Sequence, residues 1–244
     1  MEDTCKDIDV AHFVVMGTDS DDQMYLSGGE PEIWVPDEDA TATINYTSGT
    51  TARPKGVQQT HRALWVNATT FGWHAGVSDR DNYLHTLPMF HCNGWGMPYA
   101  VTGMGGKHVV LREVRGEDIL QRIEDHDITY MCGAPAVVAA VLEAAQDWEG
   151  EIPGRGRVRM VVAGAPPPTR TIARMEEELG WEFIQIYGLT ETSPLLTMNR
   201  CRSEWDDFDF EEKARKLSRA GAPAIGVKIL SLIHILTLPT NREV

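Results

Sequence analysis

The chain has 244 residues, 42% of them apolar, and a formal net charge of −14. That is enough apolar material for one large domain or two small ones with a real core. An acidic balance of this size argues against a surface for nucleic acid or anionic membrane, which needs clustered Lys and Arg.

Cys5, Cys92, Cys132 and Cys201 are far apart and form no CxxC pair, so neither a zinc ribbon nor a disulfide framework is expected. No apolar run reaches the ~18–20 residues of a membrane span, and Met1-Glu2-Asp3-Thr4 has neither the basic nor the apolar region of a signal peptide. The expectation is a protein of the cytoplasm with reduced thiols, no nucleic-acid partner and no integral membrane segment.

In chain order, residues 1–40 are acidic and rich in turn formers, with Asp19-Ser20-Asp21-Asp22 and Ser27-Gly28-Gly29-Glu30 as loop signals. They read as the trailing part of an upstream subdomain. The alternation Ala42 to Tyr46 predicts a strand, and a helix is predicted from His61 to Ala75 with Thr60 as N-cap. Strands and helices then alternate: strand 83–87, helix 94–102, strand 107–111, helix 117–125, strand 128–132, helix 136–145, strand 158–162, helix 169–179 and strand 182–186. This is the βαβ pattern of an α/β fold, a doubly wound parallel sheet covered on both faces. No internal repeat interrupts it.

Between the first strand and first helix lies Tyr46-Thr47-Ser48-Gly49-Thr50-Thr51-Ala52-Arg53-Pro54-Lys55-Gly56. Glycines let a backbone approach an anion closely, hydroxyls and free N–H groups donate hydrogen bonds, and Lys55 adds a positive charge, so the run suits polyphosphate. It is not the common P-loop, since Gly56 rather than Ser or Thr follows Lys55. A plain surface loop has the same composition, and the flanking strand and helix are what favour nucleotide binding. This loop and three others, at His91, Gly164 and Gly188 to Glu191, each follow a predicted strand. In an open parallel sheet such carboxyl-terminal strand ends line one crevice.

The loop resembles the phosphate-binding signature of the adenylate-forming superfamily, which contains acyl-CoA synthetases, luciferases and the adenylation domains of peptide synthetases. Pro88-Met89-Phe90-His91-Cys92-Asn93-Gly94-Trp95, Gly164-Ala165-Pro166 and Gln185-Ile186-Tyr187-Gly188-Leu189-Thr190-Glu191 agree with the family's further motifs, in its order. The resemblance runs from about Ile33 to Lys228 and is strongest to fatty acyl-CoA synthetases. It implies ATP-dependent activation of a fatty acid to an acyl-adenylate and then to acyl-CoA, with ATP, Mg²⁺ and CoA.

By that resemblance, Thr47, Ser48, Gly49, Thr50, Thr51 and Lys55 would hold the phosphates, and Glu191 with Thr47 the metal. Thr190 would bond the α-phosphate, and Tyr187 would stack on adenine, with Gly164, Ala165 and Pro166 closing the other side and Gln185, Ile186 and Gly188 adjoining. His91 would lie near the reacting carboxylate, and Cys92, Asn93, Trp95, Gly188 and Leu189 would line the acyl channel, Trp95 as its gate. His91, Thr190, Glu191 and Lys55 are the expected catalytic set. Taken singly, Thr-Glu also reads as a helix start, Tyr187 and Trp95 also read as core residues, and the His91-Cys92 pair has no zinc-ligand spacing.

The family's ribose-binding aspartate, its hinge residue and the lysine of its mobile C-terminal domain would all follow Lys228. There the chain turns into Ser231-Leu232-Ile233-His234-Ile235-Leu236-Thr237-Leu238-Pro239-Thr240-Asn241-Arg242-Glu243-Val244. That tail breaks the match and resembles translated adaptor sequence, although Val227 to Leu236 also has the composition of a strand. The chain is therefore expected to be an incomplete piece of the large domain, 41–230, inactive alone. Another adenylating enzyme or a catalytically dead nucleotide-binding module stays open, as does a homodimer of the full-length parent.

Overall fold

The computed structural model describes Val35 and residues 37–47 and 53–230. The expectations for most of residues 1–40, for Ser48, Gly49, Thr50 and Thr51 and for residues 231–244 fall outside the described residues. All elements below belong to one compact unit, Asp37–Val244.

Strand β1 (Thr41–Thr47) pairs antiparallel with β2 (Lys55–Thr60) in a two-stranded sheet of their own. This corrects the expectation that the phosphate loop links a strand of the main sheet directly to a helix. The chain instead returns antiparallel, Thr47 facing Lys55, because Lys55 to Thr60 runs back along β1 before helix α1 (His61–Ala75) begins. The helix itself has the expected bounds. Thr60 accepts from the Ala63 N–H at 3.1 Å, satisfying one of the orphan donors of the first turn. Gly76 closes the other end at φ 64°, a left-handed conformation that costs glycine little.

The main sheet contains β3 (Asn82–His85), β4 (Lys107–Val110), β5 (Tyr130–Gly133), β6 (Arg159–Val162), β7 (Glu182–Gly188), β8 (Leu195–Arg200) and β9 (Ala222–Pro223), in the order β4-β3-β5-β6-β7-β8-β9. The pairs from β4 to β7 are parallel, and β7, β8 and β9 pair antiparallel. Helix α2 (Met97–Gly103) follows β3. Helices α3 (Gly116–His126), α4 (Pro135–Ala144) and α5 (Thr169–Arg174, continued by a wider turn through Leu179) follow β4, β5 and β6, and α6 (Phe210–Leu217) lies between β8 and β9.

Alternate strand residues divide between two cores, as a sheet buried on both faces requires. Leu84, Met131, Met160, Val162 and Phe183 pack with α3, α4, α5 and α6 on one face. Tyr83, Tyr130, Val161, Ile184 and Ile186 pack with α1 and α2 on the other. The sheet is thus mixed and mostly parallel, and helices cover both faces.

At the amino-terminal ends of the strands, Arg159 pairs with Asp81 and donates to the Ala75 carbonyl at 2.6 Å, joining the end of α1 to β6. Burial alone would raise the Asp81 carboxyl, but hydrogen bonds from Arg159, Thr129 and the Ser78 N–H hold it below the usual range. The strand order reverses at β3: β4 lies on one side of it and all later strands of the sheet on the other. A crevice lies at the carboxyl ends of the strands, opposite the Arg159–Asp81 pair.

Candidate active site

A cavity of about 520 Å³ lies at those carboxyl ends. Four separate segments supply its walls. Thr47 and Lys55, the last residue of β1 and the first of β2, flank the hairpin turn. His91, Cys92 and Trp95 come from the segment after β3, and Ala163 with Gly164 from the segment after β6. Ile186, Gly188, Leu189, Thr190, Glu191 and Pro194 come from the end of β7 and the turn that follows. Residues more than a hundred positions apart in sequence therefore meet, as expected, although the hairpin reaches the crevice from beside the main sheet.

The expected helix at Gly94 begins later than the sequence suggests. Cys92, Asn93, Gly94, Trp95 and Gly96 all have positive φ, between 50° and 78°, and form one left-handed turn before α2 starts at Met97. Left-handed backbone costs an L-residue about 1–2 kcal/mol, so Cys92, Asn93 and Trp95 need outside support. Asn93 donates from Nδ2 to Thr43 Oγ1 at 3.0 Å and to Gln59 Oε1 at 2.8 Å, and its N–H donates to Asn45 Oδ1 at 3.3 Å. Asn67 donates to the Trp95 carbonyl at 3.2 Å and accepts from the Leu195 N–H at 3.1 Å. These bonds hold Trp95 and Cys92 against the cavity, both nearly closed to solvent. Burial pushes the Cys92 thiol up, so it stays protonated at neutral pH; a hydrogen bond with Thr190 offsets part of that rise and the Glu191 charge adds to it.

The turn after β7 is shaped by glycine and by a local hydroxyl bracket. A side chain at Gly188 would run into the carbonyl of Pro194, so only glycine lets the turn fold back on β8. Thr192 Oγ1 accepts from the Leu189 N–H at 3.0 Å and donates to the Pro194 carbonyl at 2.6 Å. Thr190 and Glu191 are thereby presented at the mouth of the cavity.

Several expected site residues lie elsewhere. Asn93 serves the hydrogen bonds just described and is not among the lining residues. Ala165, Pro166 and Tyr187 are exposed beyond the lining. Gln185 is buried inside β7, donating to the Ile186 carbonyl at 3.0 Å with its Oε1 unpartnered. The buried amides Asn45, Gln59 and Asn67, which bond the 93–95 turn from behind the cavity, are supporting residues that the sequence does not announce. Only the fold reveals them, since a single Asn or Gln carries no periodic signal.

Among the described residues no three His, Cys, Asp or Glu side chains converge as a metal site, and no helix is long and apolar enough to cross a membrane. Cys92, Cys132 and Cys201 are free.

The model of the AMP-binding enzyme family matches residues 4–232. The 2-methylpropanoate–CoA ligase of Humulus lupulus is 38% identical over 222 residues, which cover 90% of this chain and 38% of the ligase. The trans-cinnamate:CoA ligase of Petunia hybrida, described as peroxisomal, is 37% identical over 210 residues, 85% of this chain and 36% of the ligase. Among solved structures, O-succinylbenzoate Coenzyme A Synthetase from Bacillus subtilis in complex with ATP and magnesium ion superposes with a TM-score of 0.67 at 29% identity, over 84% of this chain and 40% of that one. The chain spans less than two-fifths of the length of these two curated relatives. With a family model over nearly its whole length and a mostly parallel sheet of the same architecture, the chain belongs to the AMP-binding enzyme family.

Proposed function

We propose that this segment supplies the nucleotide- and acid-binding crevice of an ATP-dependent acyl-CoA ligase, acting on a fatty acid or a similar carboxylic acid with an apolar tail. The observation that carries the reading is the meeting of Lys55, Thr47, His91, Thr190 and Glu191 on one cavity whose inner wall includes Trp95. The relatives named above are CoA ligases for small or aromatic acids, which supports the reaction class and leaves acyl length to experiment.

A carboxylate resists nucleophilic attack because it is already an anion with a poor leaving group. In the proposed reaction a carboxylate oxygen bonds to the α-phosphorus of ATP, the α–β anhydride breaks and pyrophosphate leaves. The CoA sulfur then bonds to the acyl carbon, AMP departs and the thiol proton passes to solvent. Lys55 would offset phosphate charge as it builds on the leaving group. The Thr190 hydroxyl would donate to the α-phosphate, and the His91 imidazole would hold the acid's carboxylate in line with the phosphorus. The apolar tail would run along Cys92 and Trp95, whose burial excludes water from the reacting carbon. Tyr187, with Gly164, Ala165 and Pro166, would meet the adenine.

The donor set fits magnesium. Glu191 and Thr47 are hard oxygen ligands on the same cavity, of the kind that shares the ion with phosphate oxygens and water rather than enclosing it. They would hold it, and the bound ion would supply charge neutralisation of the phosphates.

The test uses a protein of the relatives' length that carries this segment. Pyrophosphate release and CoA-thioester formation, measured with acids of rising chain length and with aromatic acids, should appear with ATP and magnesium. Release with amino acids only, or with no acid at all, would refute the reading.

A further inference from the structure

Behind the cavity, Gln59 touches two of its walls at once. It is 3% exposed. Its Nε2 donates to the Thr190 carbonyl at 2.8 Å, and its Oε1 accepts from Asn93 Nδ2 at 2.8 Å. A carboxamide is the side chain that offers a donor and an acceptor at fixed spacing. One arm thus reaches the turn that presents Glu191, and the other reaches the left-handed turn that presents Cys92 and Trp95. Gln59 itself sits on β2, four residues after Lys55, so all three walls meet in one side chain. Filling space would need neither bond, and a buried amide left unmatched is costly.

We propose that Gln59 is a positioning residue that sets the spacing between the hairpin bearing Thr47 and Lys55, the turn bearing Trp95, and the Thr190–Glu191 turn. The inference deepens the proposed ligase reading, and only its kinetic arm rests on that reading.

Hydrogen exchange of the ligand-free protein reads the tie directly. In Gln59→Leu, which loses both bonds, amides of residues 91–96 and 189–193 should exchange at least about tenfold faster, while those of β6 stay unchanged. Gln59→Glu keeps the acceptor for Asn93 and loses the donor, so 189–193 alone should loosen. It also guards against a leucine variant that fails to fold. Unchanged exchange in both segments, or an equal rise throughout the chain, would overturn the proposal.

The kinetic arm is acid-dependent ATP–pyrophosphate exchange in a protein of the relatives' length. Gln59→Leu should lower kcat at least about tenfold and leave the KM for ATP within about twofold, the mark of an effect on the reacting geometry rather than on nucleotide affinity. Faster amide exchange with an unaltered kcat would make Gln59 a structural tie and overturn its positioning role. If the unmodified protein shows no pyrophosphate exchange but the amides loosen as expected, the ligase reading fails and the tie stands.

Discussion

Lys55 and Glu191 reach one cavity from a hairpin and from a turn more than a hundred residues later, and the proposed role of each is electrostatic. In a protein of the relatives' length, Lys55→Ala or Glu191→Gln should slow pyrophosphate release by more than about tenfold, equivalent to more than ~1.4 kcal/mol of transition-state stabilisation. Kinetics equal to the parent's for either variant would remove that residue from the site.

His85 titrates in a different setting. Burial, with the neighbouring His108 ring adding to it, pushes its imidazole from the ordinary 6.5 down to about 4. Its Nε2 lies 2.8 Å from His108 Nδ1, and Tyr83 meets it edge-on. From pH 6.5 down to about 4 the unfolded chain binds a proton that the folded chain refuses, so stability falls as pH falls through that window and levels off below it. Between pH 7 and pH 5 the loss should be about 1–2 kcal/mol, read from urea midpoints. His85→Gln should lose correspondingly less; an equal loss in both would contradict the assignment.

The long periodic elements were legible in the sequence. Helix α1 has its predicted ends because Thr60 caps its start and Gly76 closes its end, and β3 to β7 announce themselves as short apolar runs between turns. Strands β2, β8 and the two-residue β9 and helix α6 were not. Strand β2 is Lys-Gly-Val-Gln-Gln-Thr, too polar to show alternation, and only Gln59 in it is buried. Strand β8 follows a turn that glycine folds back on it, so no long connection marks a new element. Helix α6 is short and strongly polar, which hides its two signals: Asp209 caps it by accepting from the Glu212 N–H at 2.8 Å, and Ala214 and Leu217 recur at helical spacing.

For the site, motif residues were readable as a set, whereas the left-handed turn at 92–96 was not, because three of its five residues are not glycine. The turn after β7 offers a test at this scale. Gly188→Ala places a methyl group against the Pro194 carbonyl, and overpacking of that kind costs about 1–3 kcal/mol. A chemical-denaturation midpoint equal to the parent's would show that the turn can shift.

Across the whole molecule, two cores on opposite faces of one sheet explain how a chain covering less than two-fifths of those ligases can still assemble the crevice. We propose that residues 41–230 are the α/β part of the large domain, that 1–40 trail an upstream subdomain, and that 231–244 are foreign to the family. We also propose that residues 1–244 by themselves, spanning less than two-fifths of those ligases, form no thioester with Mg-ATP, CoA and fatty acids. Turnover of about 1 s⁻¹ or more, an ordinary enzyme rate, would mean that the catalytic machinery is misplaced.

Whether the crevice activates a carboxylic acid is read by ATP–pyrophosphate exchange without CoA, in a protein of the relatives' length, with fatty and aromatic acids set against amino acids. Exchange should need magnesium and an acid with an apolar tail, and Lys55→Ala should reduce it by more than about tenfold. Exchange with amino acids alone, or exchange indifferent to Lys55 and Glu191, would contradict the proposed ligase reading.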